Sequence, residues 1–192
     1  MTAVAATQVI VIGGSAGSLD VILKVLPDIR LNKHTAIIIV LHRKSSDDSP
    51  LVELLSYKTT LPVKEAEEKD LICGQCIYVA PSDYHLLIER DHTFSVDFSE
   101  KVNYSRPSID ITFQAAAEIY GENTIAILLS GANSDGTSGL QEVQRYQGKT
   151  VIQDPRTAEV SYMPQYALNN LTPDEILADD QIADYINRQQ QA

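Results

Sequence analysis

The sequence predicts an α/β protein: a doubly wound, mostly parallel sheet in a Rossmann-like three-layer sandwich, with an inserted antiparallel β-hairpin. Three observations predict it. Short β-branched runs at 9–12, 36–41 and 124–129 alternate with helical stretches, the pattern of buried parallel strands joined by crossover helices. Each run delivers small or polar residues at its end, namely Gly13-Gly14-Ser15-Ala16-Gly17, His42 and Ser130-Gly131-Ala132-Asn133-Ser134-Asp135-Gly136. The stretch 76–98 differs: apolar runs at 76–80, 85–89 and 93–98 are separated by Pro81-Ser82-Asp83 and Arg90-Asp91-His92, turn clusters of the kind that join antiparallel strands.

In order along the chain, strand 9–12 and its glycine turn lead to a helix over about 18–26 with Leu19, Ile22, Leu23 and Leu26 on one face, closed by Pro27. After strand 36–41 a polar loop, 43–49, covers the sheet edge; Ser49 caps and Pro50 opens a helix carrying Leu51, Leu54 and Leu55. A short strand at 62–66 precedes the antiparallel region. Ser108 caps a helix through Tyr120, with Ile109, Thr112, Phe113, Ala116 and Ala117 inward and Gly121 ending it. Strand 124–129, a helix over about 137–147 and strand 149–153 form a further βαβ unit, followed by a helix around 163–170, a strand at 175–177 and a terminal helix.

Composition narrows the function. A chain of 192 residues suits one domain. A formal charge of −11 with scattered cations excludes nucleic acid, whose binding rests on Lys and Arg neutralising phosphates, and argues against an anionic membrane surface. The apolar runs fall far short of the ~20 residues that span a bilayer, so no membrane insertion is expected. Residues 1–12 lack a basic leader region and run straight into the first strand, which points to a cytoplasmic protein. Cys73-Gly74-Gln75-Cys76 has no second pair to complete a zinc site and reads as a turn. No metal and no cofactor is expected.

The chemistry lies at the strand ends. Loops at the carboxyl ends of parallel strands share one edge, so Ser15, His42 and Asp135 can meet there as nucleophile, base and orienting acid despite their separation in sequence. Ser15 sits in a literal G-x-S-x-G, a sharp strand-to-helix turn that lifts a hydroxyl out beside unpaired N–H groups able to hold an oxyanion. The same turn also suits a phosphate, and Asp135 just before Gly136 also suits a helix cap. His34 and His92 are expected in solvated loops and His85 as a satisfied structural histidine. A dinucleotide site would need glycines where Ser15 and Ser18 stand.

These residues and their flanks resemble the catalytic domain of the chemotaxis protein-glutamate methylesterase (CheB) family over about residues 8–187. The resemblance rests on Gly14-Ser15-Ala16-Gly17, Leu41-His42, Val63-Lys64-Glu65-Ala66, the run from Tyr78 to Leu87, Arg106-Pro107-Ser108-Ile109-Asp110, the loop from Leu129 to Gly136, Gln153-Asp154-Pro155 and Met163-Pro164. It implies hydrolysis of γ-glutamyl methyl esters on the cytoplasmic helices of methylated chemoreceptors, with glutamine deamidation in some members. By position Ser15 is the nucleophile, His42 the base and Asp135 the orienting carboxylate. Backbone N–H groups at Ala16, Ala132 and Asn133 are the oxyanion candidates. The 43–49 loop and Tyr84-His85 are expected at the rim, and Arg106 either in the cleft or in an ion pair. The loop that commonly reads Gly-Met-Gly reads Gly131-Ala132-Asn133, and Ala16 stands where a hydroxyl residue is frequent. No receiver domain is expected, hence no control by phosphorylation of this chain. A catalytically weak interaction module is the alternative.

Overall fold

The computed structural model describes residues 4–43 and 50–190; the 44–49 part of the expected edge-covering loop, with Ser49, lies outside them. Its centre is a seven-stranded sheet in the order β3-β4-β2-β1-β7-β8-β9. The strands are β1 (Gln8–Gly14), β2 (Thr35–Leu41), β3 (Val63–Glu65), β4 (Ile77–Val79), β7 (Thr124–Leu128), β8 (Lys149–Gln153) and β9 (Glu175–Leu177). Every neighbouring pair is parallel. A separate antiparallel hairpin joins β5 (His85–Ile88) to β6 (Phe94–Asp97).

One expectation is corrected. Residues 76–80 form no part of the antiparallel insertion: β4 lies between β2 and β3 and is parallel to both. A strand as short as Ile77-Tyr78-Val79, buried throughout, carries no local signal of its direction. Direction follows from the connection, and the chain returns from β3 over 66–76 without a helix.

Both faces of the sheet are covered, so its central strands are apolar on both sides. Val9, Val11, Ile38 and Leu128 face a core shared with the hairpin and three helices, α3 (Ile109–Tyr120), α4 (Thr137–Arg145) and α5 (Tyr162–Asn170). Ile10, Ile12, Ile37 and Ile127 face α1 (Ser18–Val25), α2 (Leu51–Ser56) and α6 (Ile182–Arg188). Each isoleucine so buried contributes roughly 1.5–3 kcal/mol, which holds the three layers in register.

The inward face of α1 differs from the one expected. Val21, Ile22 and Val25 are buried, whereas Leu19 and Leu23 only flank the core. Six of the eight positions from Leu19 to Leu26 are apolar, so periodicity leaves the phase of this helix open and packing chooses it. By contrast, α3 buries the residues expected of it: Ile109, Thr112, Phe113, Ala116 and Ala117 are fully inside. Ser108 Oγ accepts the Ile111 N–H at its start, and Gly121 ends it at φ 53°.

Candidate active site

The chain winds from β1 outward to β2 and later returns to β7 on the other side of β1. That reversal sets the carboxyl ends of β2, β1 and β7 side by side. The strand ends are stitched by backbone hydrogen bonds. Leu129 N donates to Gly13 O at 2.9 Å, Ser15 N to Ser130 O at 2.9 Å and His42 N to Gly14 O at 3.1 Å. Ser15 and His42 therefore continue adjacent strands in register, with the loop after β7 on the opposite flank of Ser15.

Gly17 ends the turn after Ser15 at φ 80°, a left-handed conformation that a β-carbon disfavours. A side chain there would also meet Glu159 Cβ at 2.6 Å and Ser130 Oγ at 2.9 Å. Ser130 Oγ donates to Ala16 O at 2.7 Å and accepts Val160 N at 2.9 Å, which straps the 154–163 segment over the turn. Ser15 is half-buried and Ala16 exposed. Among the described residues, Ser15 Oγ and the N–H groups of Ala16, Ala132 and Asn133 make no hydrogen bond.

Asp135 is fully buried. Its Oδ2 lies 2.7 Å from His42 Nε2 and accepts Ile109 N at 2.7 Å, while Oδ1 accepts Ser108 Oγ at 2.9 Å and Asp110 N at 3.2 Å. The alternative reading, a cap on the following helix, does not hold: Asp135 caps α3 across space, and the start of α4 after Gly136 is held by Asp110 instead. Burial pushes the Asp135 carboxyl up, but the His42 and Ile109 hydrogen bonds outweigh it and hold the group below the usual range. It stays ionised and orients the imidazole.

The second ring nitrogen of His42 meets a residue that the sequence reading missed. Ser105 Oγ lies 3.2 Å from His42 Nδ1 and accepts Asn133 Nδ2 at 3.2 Å. No hydrogen bond joins Ser15 to His42 among the described residues. Ser105 precedes Arg106-Pro107 on the segment between β6 and α3, and no strand-end signal marks it. Asn133 is also more than a backbone donor, since its Oδ1 accepts Asp135 N at 3.1 Å.

Asp110 also lies beside the acid. Its Oδ1 accepts Gly136 N at 2.9 Å and Gly139 N at 2.7 Å, and its Oδ2 accepts Asn103 Nδ2 at 2.8 Å. The same Asn103 amide reaches Asp135 Oδ1 at 3.2 Å. Burial, then the charge of Asp135, pushes Asp110 up to about 6.

A cleft of about 400 Å³ opens beside His42, lined by Arg43, Asp83, Lys101, Tyr104, Ser105 and Arg106. Arg106 is both a cleft residue and an ion-pair partner, 2.8 Å from Asp83 Oδ1. Tyr84 stands exposed near this rim, whereas His85 is fully buried with Nε2 2.9 Å from Glu100 O and Nδ1 accepting Ser108 N. His34 and His92 are half-buried rather than solvated; the His92 ring packs on Tyr120 at 5.0 Å. Cys73 and Cys76 are free thiols, Cys76 buried. Among the described residues no His, Cys, Asp and Glu cluster suits a metal ion.

Comparison with known proteins places this arrangement. The family model for the CheB methylesterase matches residues 10–186. The chain belongs to the CheB methylesterase family. A relative from Leptospira interrogans is 41% identical over 181 residues, covering 94% of each chain. The protein-glutamate methylesterase/protein-glutamine glutaminase of Thermotoga maritima is 35% identical over 176 residues, which cover 88% of this chain and 50% of the relative. The crystal structure of the Thermotoga maritima CheB methylesterase catalytic domain superposes with a TM-score of 0.90 at 31% identity, covering 96% of this chain and 99% of that one. This protein is a CheB-type protein-glutamate methylesterase catalytic domain, and the family works in chemoreceptor signalling. Among the described residues no helix is long and apolar enough to cross a membrane.

Proposed function

We propose that this CheB-type domain, over residues 8–187, removes methyl esters from γ-glutamyl side chains on chemoreceptor cytoplasmic helices through Ser15, His42 and Asp135. The observation that carries the reading is the 2.7 Å contact of His42 with buried Asp135 at the strand end adjoining Ser15. Ser15 Oγ attacks the γ-carbonyl carbon while its proton passes to His42 Nδ1, the ring nitrogen that Asp135 leaves available. The oxyanion takes N–H groups from Ala16 and from Ala132 or Asn133. Methanol leaves with that proton, and water then hydrolyses the γ-glutamyl ester of Ser15 to glutamate. A glutamine side chain would enter the same sequence with ammonia as leaving group.

Nδ1 faces Ser105 Oγ, so attack by Ser15 requires this nitrogen to exchange that contact for Ser15 Oγ. Catalytic contacts commonly tighten only in the substrate complex. The Ser105 contact favours a second reading in which Ser105 itself attacks. Against it, Ser15 stands at the turn into α1 with the unspent Ala16 N–H beside it, whereas Ser105 is followed by Arg106-Pro107 and no helix start before Ile109. Incubating a methylated receptor preparation with the protein and measuring methanol tests the activity. Normal release by a folded Ser15→Ala protein would falsify covalent catalysis by Ser15.

A further inference from the structure

The segment between β6 and α3 contains a two-residue tip. Val102 and Ser105 exchange backbone hydrogen bonds at 3.2 and 2.9 Å, leaving Asn103 at φ 50° and Tyr104 at φ 64°. Positive φ at both central residues is what a type I′ turn requires, and its preferred sequence is Asn-Gly. Asn103 fits, with its amide anchored on Asp110 and Asp135. Tyr104 does not: the left-handed region disfavours a bulky side chain. The Tyr104 side chain itself returns none of that cost among the described residues. Tyr104 is 97% exposed and makes no hydrogen bond or ring contact among the described residues.

The tip stands over the cleft that holds His42 and Ser105. Beside it is a braced aromatic shelf. The Tyr84 and Phe98 rings lie 5.5 Å apart, and the Arg106 guanidinium sits 3.8 Å from the Phe98 centroid. Arg106 is fixed further by Asp83 and by Ser99 O at 2.6 Å. Phe98 and Tyr84 are 61% and 41% exposed. Among the described residues Arg43, Lys101 and Arg106 line the cleft with Asp83 as the one acid; Arg106 is paired with Asp83 and Arg43 with Glu65, which leaves Lys101 as the cation with no ion pair. The rim thus sets the Lys101 charge beside rigid aromatic surface, a combination that anchors binding sites.

We infer that Tyr104, Lys101 and the Phe98–Tyr84 shelf form the docking rim for the substrate helix. The occupant is an acidic helical protein segment whose free glutamates meet Lys101 while one methylated glutamyl side chain passes the rim toward His42 and Ser15. A cleft of about 400 Å³ admits a side chain and not a helix, so the helix must lie across the rim. The Tyr104 ring closes over it, which is what the strained turn is held for. The inference rests on the esterase reading and adds to it the surface that selects a protein substrate over a small ester.

The test uses two substrates, a methylated receptor cytoplasmic fragment and p-nitrophenyl acetate, and two variants, Tyr104→Gly and Lys101→Glu. Glycine suits the turn backbone, so Tyr104→Gly should unfold no earlier than the parent chain. Its kcat/KM on the receptor fragment should fall by about tenfold or more, chiefly through KM, and on the small ester by less than about threefold. Lys101→Glu should act in the same direction and weaken the dependence of receptor turnover on salt. In a Ser15→Ala background, Tyr104→Gly should weaken binding of the fragment by a similar factor. Equal losses on both substrates, or full retention of receptor turnover and binding, would overturn the docking rim. Failure of the parent chain to hydrolyse either ester would instead reject the esterase reading, leaving the binding measurement to judge the rim by itself.

Discussion

Asp135 and Asp110 cap each other's helices: Asp135, just before α4, accepts the Ile109 and Asp110 N–H groups of α3, and Asp110, in the first turn of α3, accepts Gly136 N and Gly139 N at the start of α4. Each carboxylate thus serves the positive end of the other's helix. The exchange brings two acids together beneath His42, and Asn103 bridges them. Their titrations part in opposite directions, Asp110 up to about 6 and Asp135 down.

A carboxyl that titrates higher in the folded chain than in the unfolded one favours folding most when protonated. The Asp110 contribution should therefore be full below about pH 4, the ordinary carboxylate value, and decline as pH rises through about 6. Asp135 behaves oppositely, its contribution present at neutral pH and lost as pH falls through its depressed value. Thermal unfolding of the parent chain relative to Asp110→Asn should lose ground between about pH 4 and pH 6.5, then level off. Parallel curves across that interval would show that Asp110 titrates no higher in the folded chain than in the unfolded one.

Ser15→Ala and His42→Ala should each lower turnover of a methylated receptor fragment by roughly 10³–10⁶-fold, with little further loss on combining them, because both act on one proton transfer. Asp135→Asn should be severe as well, since it disturbs the imidazole tautomer and places an amide against the Ile109 N–H or His42 Nε2. Additive losses in the Ser15 and His42 double variant would show that they do not work as a unit.

Ser105→Ala separates the two serines that can face His42. An active-site serine probe should still label Ser15 in this variant, and turnover should fall by less than about tenfold, the scale of one lost neutral hydrogen bond. Peptide mapping decides the outcome. A label on Ser105 in the parent chain, absent from Ser105→Ala, would transfer the nucleophile to the second reading.

Gly17→Ala tests the turn that presents Ser15. A β-carbon there is placed at φ 80° and 2.6 Å from Glu159 Cβ, and the strain should cost about 1–3 kcal/mol in urea unfolding. Activity should fall further than stability requires, because the same turn carries the Ala16 N–H. An unchanged urea midpoint with full activity would show that the turn relaxes freely.

The sequence alone was enough for the layers, most strands, the α3 face and the strand-end positions of Ser15, His42 and Asp135. Those features follow from local causes: β-branched runs that must be buried, a 3.6-residue period with a serine cap, and glycine turns at strand ends. Only tertiary structure decided the direction of Ile77–Val79, the phase of α1 and the partners of the two ring nitrogens of His42. A short buried strand looks the same in either direction, and a helix apolar on most sides packs whichever face the sheet offers. Ser105 reaches His42 from a turn between β6 and α3. Asp135 caps a helix begun far earlier in the chain rather than the one it precedes. Hydrogen bonds between residues distant in sequence depend on where the elements dock, and no local pattern of residue types encodes that.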